Sequence, residues 1–293
     1  MKVGIIDVGS NTVRLLAAQH GSEGAVFPIR EERRQVGLGE AIERRGSITA
    51  AKLDETARTA RGYAKLARRL GCDRIEVVVT APGRQSANGR ELLIALRDAV
   101  GVSPRVLSAE TEGRLAYLGA VSASDELAGM VAVCDVGGGS TEVAFGGASG
   151  GPDWVDSIDI GSLRLTSRFF PGGGSRSAIR DARAEVRRHL DGIGGTDVDA
   201  ALATGGSARA LRKLVGWTLG AGELERAVDL LGGRSAAKIS RKHGIDPHRA
   251  RTLLAGAIIL SEVQLRLGVP FEVARGGLRE GLAGELLAEL LAA

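Results

Sequence analysis

The chain opens on an apolar run, VGIID, that stops at Asp7, passes through Val-Gly-Ser-Asn-Thr, and turns apolar again in VRLLAA. That pattern predicts two strands around a tight turn, over residues 3–8 and 13–19, with a third over 26–36 completing a meander. After a glycine-containing link at 37–46, apolar residues recur at helical spacing through ITAAKLDETARTARGYAKLARRLG and close on Gly71, a C-terminal cap signal. RIEVVVT, residues 74–80, reads as an interior parallel strand because it is a short β-branched run. GRELLIALRDAVG reads as an amphipathic helix and RVLSAE as a strand, and TEGRLAYLGAVSA reads as a helix beginning near Thr111.

From Met130 the order restarts. VAVCDVGGGSTEVAFG repeats strand, acid, glycine turn and strand, with Asp135 in the place of Asp7. A third strand over 154–160 and the helix SLRLTSRFF after Gly161 follow. PGGG at 171–174 is a loop, 176–190 a basic helix, and VDAALATGGSARALRKLVG another strand, glycine turn and helix. Residues 223–267 read as helical throughout, and EGLAGELLAELLAA as a terminal helix. Within them, SAAKISRKHGIDPHRARTLLAG has the outline of a helix-turn-helix around Gly244. It reads instead as a plain helical hairpin, because no aromatic or strongly basic recognition face accompanies it.

The fold class that follows is α/β, and 293 residues exceed what one hydrophobic core usually organises, so the repeat predicts two lobes. Aromatics make up only 3% of the chain, which leaves the cores to Leu, Val, Ile and Ala. The first residues enter a strand directly, with no apolar leader and no stretch of membrane length, so a cytoplasmic protein without membrane attachment is expected. Cys72 and Cys134 lack partners at metal spacing and read as structural filler in a reducing compartment. A net charge of +4 is too mild for a dedicated duplex-DNA binder, so no specific nucleic-acid partner is expected. Arginine outnumbers lysine, as phosphate recognition favours, although a GC-rich genome explains the bias as simply.

The chemistry is carried by the glycine turns. Glycines lack a Cβ, so several backbone N–H groups can converge on one small anion at Gly9 and again at Gly137, Gly138 and Gly139. Ser10, Asn11 and Thr12 in the first turn, and Ser140 and Thr141 in the second, add donors without bulk. One such turn is as easily structural; two in equivalent positions read as a pair of phosphate grips. Asp7 and Asp135 would repel a phosphate directly but can hold Mg²⁺, or Mn²⁺, between carboxylate and phosphate oxygens, with Glu142 available to complete the metal set.

Paired phosphate turns resemble the actin, Hsp70 and sugar-kinase superfamily. More narrowly, DVGSNTVRLL, SAETEGRLAYLGAV, DVGGGSTEVAFG, DIGSLRLTSRF, ALATGGSARAL and ARGGLREGLAGELL, in that order, closely resemble the Ppx/GppA family of exopolyphosphatases and guanosine pentaphosphate phosphatases, from residue 3 to the end. The resemblance implies hydrolysis of a terminal phosphoanhydride by a water that a glutamate activates. The glutamate directly before the small residue and arginine takes that role, which is Glu112 in ETEGRL, with Glu110 as the fallback on the strand side. It also implies that Gly205, Gly206 and Ser207 bind phosphate, and that Arg84 does so from VTAPGRQSAN. There the chain departs from the family's usual ATxxxR run by placing Pro82 and Gly83 inside the loop. None of the four histidines lies in a motif, which argues against a phosphohistidine intermediate.

The reading is therefore two actin-like α/β lobes with the site in the cleft between them. Lobe I covers residues 1–118, with a terminal helix at 279–293 packing back on it, and lobe II covers 119–278. The expected activity is Mg²⁺-dependent release of terminal orthophosphate from inorganic polyphosphate. Removal of the 5′ terminal phosphate of pppGpp is the nearest rival, followed by a superfamily kinase and a non-catalytic alarmone-binding sensor. Arg84, Arg114, Lys213, Arg241 and Arg249 are available to line a polyanion path. Family relatives are often dimers, so a homodimer is a further expectation. Longer relatives append a helical domain after the last motif, where this chain stops at Ala293, so a short channel and modest processivity are expected.

Overall fold

A computed structural model of the chain describes residues 1–21, 25–124, 127–193 and 197–292. The first meander is β1 (Lys2–Val8), β2 (Thr12–His20) and β3 (Val26–Gln35). Then come α1 (Leu38–Arg45), α2 (Ala50–Arg69), β4 (Arg74–Val79), α3 (Ala81–Gln85), α4 (Gly89–Val100), β5 (Arg105–Val106) and α5 (Ala109–Val121). The second half runs β6 (Met130–Val136), β7 (Thr141–Gly147), β8 (Pro152–Ile158), α6 (Ser162–Phe169), α7 (Arg176–His189), β9 (Ala200–Thr204) and α8 (Gly205–Val215). It closes with β10 (Thr218–Leu219), α9 (Ala221–Gly232), α10 (Ala236–His243), α11 (Pro247–Leu267), β11 (Phe271–Val273) and α12 (Leu278–Ala292). Ala293, the last residue expected in the terminal helix, lies outside the described residues.

The repeat is literal. The first sheet has the order β3-β2-β1-β4-β5 and the second β10-β11-β9-β6-β7-β8. In each, an antiparallel hairpin (β1–β2, β6–β7) lies beside a parallel strand reached through helices (β4, β9). One core fills the space between the second sheet and α7, α9 and α11, and another packs α2 and α4 on one face of the first sheet. On the opposite face of the first sheet, Val3, Ile5 and Leu16 meet Leu282, Leu286 and Leu287 of α12. Burying side chains of this size contributes roughly 1.5–3 kcal/mol each, enough to hold a terminal helix against the sheet. Helices α5 and α12 approach backbone to backbone: a Cβ on Gly281 would strike the Leu115 carbonyl, and one on Gly119 the Gly277 carbonyl.

Several expectations are corrected. The link at 37–46 contains α1, which the left-handed glycines Gly37 and Gly46 punctuate at both ends. Pro82 does not sit in an open loop; it occupies the first turn of α3, where its missing N–H costs no helical hydrogen bond. The strand read in RVLSAE is only two residues long, because Ser108 caps α5 by accepting from the Thr111 N–H. That cap, worth about 1 kcal/mol, starts the helix at Ala109 rather than near Thr111 and puts Glu110 in its first turn, not on the strand. Residues 223–267 are three helices, broken at Gly233 and at Gly244, whose φ of 60° ends α10 before Asp246 caps α11. Strands β10 and β11 gave no sequence signal: they are short and exist through pairing with each other and with β9.

Candidate active site

The two hairpin turns superimpose residue for residue in their bonding. The Gly9 N–H donates to the Thr12 carbonyl at 3.0 Å, and the Gly137 N–H to the Ser140 carbonyl at 3.0 Å. Across the hairpins, Asp7 stands opposite Arg14 and Asp135 stands opposite Glu142. One structural position thus carries a cation in the first copy and an acid in the second. The turns face each other so closely that a Cβ on Gly138 would meet the Ser10 side chain at 3.2 Å.

Between them lies a cavity of about 100 Å³, the size of a few waters or one phosphoryl group. Asp7, Asp135, Gly9, Ser10, Asn11 and Thr12 line it, as do Gly137, Gly138, Gly139 and Ser140. Thr80 and Thr204, at the ends of the equivalent strands β4 and β9, complete its floor. Gly205 and Gly206 present the N-terminus of α8, and Gly277 and Leu278 that of α12. Unpaired N–H groups and the positive ends of two helix dipoles therefore converge where an anion would sit.

Glu112 is buried and lines this cavity from the first turns of α5, while Glu110 is exposed. Arg84 Nη1 donates to Glu112 Oε2 at 2.6 Å and to the Leu107 carbonyl at 2.6 Å. Burial and the nearby Glu142 push the Glu112 carboxyl well above the usual range, and Arg84 partly offsets them. Glu142 is pushed up to about 7 by burial and by Asp135, although Ser157 Oγ donates to it at 3.0 Å. Gly113 permits this pairing of acids, because a Cβ there would strike Val155 and crowd Glu142 at 3.3 Å.

Four residues expected at the phosphate or metal do not line the cavity. Arg84 is turned to Glu112 and so holds the glutamate in place. Glu142 lies behind, bonded to Ser157. The Thr141 hydroxyl is buried and donates to the Ile160 carbonyl at 2.6 Å, which pins the turn to the segment between β8 and α6. Ser207 is buried against Gly256, with its Oγ 3.5 Å from Arg249 Nη1.

The sequence reading missed the cations. Arg14, Arg209 and Arg279 line the cavity together with Arg249, which had been singled out. Burial and mutual repulsion lower Arg14 to about 9 and Arg249 to about 10, so an anion among them relieves a standing cost. A signal was available at Arg14, which interrupts a largely apolar strand where an unpaired charge is costly, but not at Arg279, which is followed by Glu280 and pairs with Glu31 at 3.2 Å. The same four arginines form the inner wall of an open groove of about 570 Å³ that continues past Lys213, Arg33 and Arg275. Of the other expected path residues, Arg241 does not line the groove, and Arg114 is taken by Glu285 of α12.

Among the described residues no cluster of three His, Cys, Asp or Glu side chains forms a ready-made metal cage. Asp7 and Asp135 nonetheless suit a hard cation. Both line the cavity, burial raises both above the usual carboxylate range, and among the described residues neither carboxylate accepts a side-chain hydrogen bond. Two carboxylate oxygens completed by waters and substrate phosphate match the way Mg²⁺ is usually held. Among the described residues no helix is long and apolar enough to cross a membrane.

The Ppx/GppA phosphatase family model matches residues 17–290. Exopolyphosphatase 1 of Mycobacterium tuberculosis is 30% identical, over 96% of this chain and 87% of its own length. The crystal structure of the Aquifex aeolicus Ppx/GppA family member is 29% identical and covers 100% of this chain and 98% of its own, with a TM-score of 0.83. An exopolyphosphatase from Cytophaga hutchinsonii, 20% identical, shares the fold with a TM-score of 0.87, covering 99% of this chain and 98% of its own. With its two actin-like α/β domains and a phosphate-sized cavity between paired glycine turns, the chain belongs to the Ppx/GppA phosphatase family and is a phosphoanhydride hydrolase.

Proposed function

We propose that the protein is an exopolyphosphatase, releasing terminal orthophosphate from inorganic polyphosphate. One observation carries the choice of substrate: the cavity opens directly into a groove lined by six arginines and Lys213 against Glu31, Glu32 and Asp246, and among the described residues no aromatic side chain lines either space. A chain of phosphates finds charge along its whole length there, whereas a guanine base finds no stacking surface.

In this reading the terminal phosphoryl group sits between the two turns, with the N–H groups of the second turn and the N-termini of α8 and α12 on its oxygens. Arg14, Arg209 and Arg279 offset the negative charge of the terminal phosphates, and most of the catalysis is positioning and electrostatics. Glu112 orients the attacking water and takes its proton. A carboxyl raised by burial is a stronger base than an exposed one, and Arg84 keeps it aimed at the cavity. Asp7 and Asp135 would hold Mg²⁺ or Mn²⁺, which would polarise the phosphate and neutralise charge on it. Incubating the purified protein with long-chain polyphosphate, pppGpp and ATP separately, and measuring orthophosphate, tests the assignment. Fastest release from polyphosphate is expected; preference for pppGpp would replace this reading with the nucleotide one, and no release from any would remove both.

A further inference from the structure

The catalytic cavity has a second neighbour. A space of about 550 Å³, which has no lining residue in common with the basic groove, lies between α1 of the first lobe and α6, α10 and α11 of the second. It shares one lining residue with the cavity, Asn11, whereas the basic groove shares five. The Asn11 backbone is fixed, its carbonyl accepting from Val36 and Gly37, but among the described residues its carboxamide makes no hydrogen bond. Asn11 thus lies on the wall of both spaces, with a buried carboxamide that no side-chain hydrogen bond among the described residues holds in place.

The second space carries its own charge. Its acids are matched, Glu43 by Arg164 at 2.6 Å and Glu40 by Arg251 at 3.4 Å. Arg44 and Arg234 also line it, and neither has an ion-pair partner among the described residues. The net lining is cationic but weaker than that of the groove, which suits the transit of a small anion rather than retention of a chain.

From these observations we infer that the second space is the exit for orthophosphate, with Asn11 as its inner gate and Arg44 and Arg234 as its outer guides. The inference rests on the exopolyphosphatase reading. After each cleavage the shortened chain still fills the groove, and its like charge repels a phosphate leaving the same way. A separate mouth lets the product depart while the chain stays.

The test separates bond cleavage from product departure. Ser167 is exposed on the wall of the second space, so Ser167→Cys labelled with a bulky maleimide obstructs it. The native thiols compete little, since Cys134 is buried and burial raises Cys72. Total phosphate after acid quench is compared with free phosphate followed by a fluorescent phosphate-binding protein. On long-chain polyphosphate, free phosphate is expected to lag total phosphate at least several-fold in the labelled protein, and much less on tripolyphosphate, whose remnant leaves the groove open. If the label also stops cleavage, the unlabelled Arg44→Glu/Arg234→Glu variant carries the same comparison. Free phosphate keeping pace with cleavage on long chains overturns the exit. Absence of total phosphate from the unmodified protein instead overturns the underlying reading of the function.

Discussion

Replacing Glu112 by glutamine removes one proton acceptor and one charge while leaving the shape of the side chain intact. The consequences for folding and for catalysis separate cleanly. For folding, the variant loses a charge-assisted bond from Arg84, worth about 1.5–3 kcal/mol, but keeps a neutral acceptor at the same place. It also removes the repulsion between Glu112 and Glu142 that raises the Glu112 carboxyl, so the two changes largely cancel. A melting temperature within a few degrees of the parent is expected. For catalysis nothing cancels, because the amide cannot accept the water's proton: a lost general base lowers turnover by about 10²–10⁴. That is about 2.7–5.4 kcal/mol on the barrier at 1.36 kcal/mol per decade. The assay is initial orthophosphate release at saturating polyphosphate, with substrate binding measured separately by titration calorimetry. Glu110→Gln, at an exposed position, is the matched control and should retain most of the activity. A larger loss in Glu110→Gln than in Glu112→Gln would refute the assignment of the base, and full turnover in both would refute base catalysis from this helix.

Two further outcomes follow from the acids around the cavity. Activity should require Mg²⁺ or Mn²⁺ and vanish with EDTA, and Asp135→Asn should weaken the metal dependence; an unchanged metal titration in that variant would remove Asp135 from the metal site. Stability in metal-free buffer should fall as pH rises, because Glu142 titrates at about 7 in the fold against 4.5 in the unfolded chain, so the fold holds a proton that the unfolded chain releases. The loss develops between those two values and is complete above the upper one, amounting to about 3 kcal/mol for the shift of Glu142 alone. Denaturant melts at pH 5 and pH 8 should therefore show a smaller drop in Glu142→Gln than in the parent, and equal drops would show that Glu142 is not the group responsible.

What the sequence revealed divides by how local the cause is. The glycine turns were legible because each hairpin is encoded by about a dozen adjacent residues, and the alternation of strands and helices followed from their periods. Glu112 was singled out through the resemblance, and the fold buries it on the cavity wall. Of the arginine cluster only Arg249 was singled out, because Arg14, Arg209, Arg249 and Arg279 come from four elements that only the folded topology brings together. The two roles of Arg84 and Glu142 were hidden for a related reason. Both looked like ligand contacts in their motifs, and only the packing of α5 against β7 and β8 shows that they face Glu112 and Ser157 instead. The short strands β5, β10 and β11 are products of tertiary pairing, where a two- or three-residue segment has no period to read.

The packing of α12 against β1 has a consequence for how the molecule comes into being. Val3 and Ile5 find their cover in Leu282, Leu286 and Leu287, which follow them by most of the chain's 293 residues. The second sheet and its helices can assemble from contacts closer in sequence, while the first lobe keeps one apolar face bare until α12 has been made. Leu278, Arg279 and Glu280 arrive with that same helix, so the cavity acquires its last wall at the moment the exposed face is covered. The nascent chain is thus most vulnerable to aggregation, and unable to act on its substrate, over the same interval, and a single docking event ends both conditions.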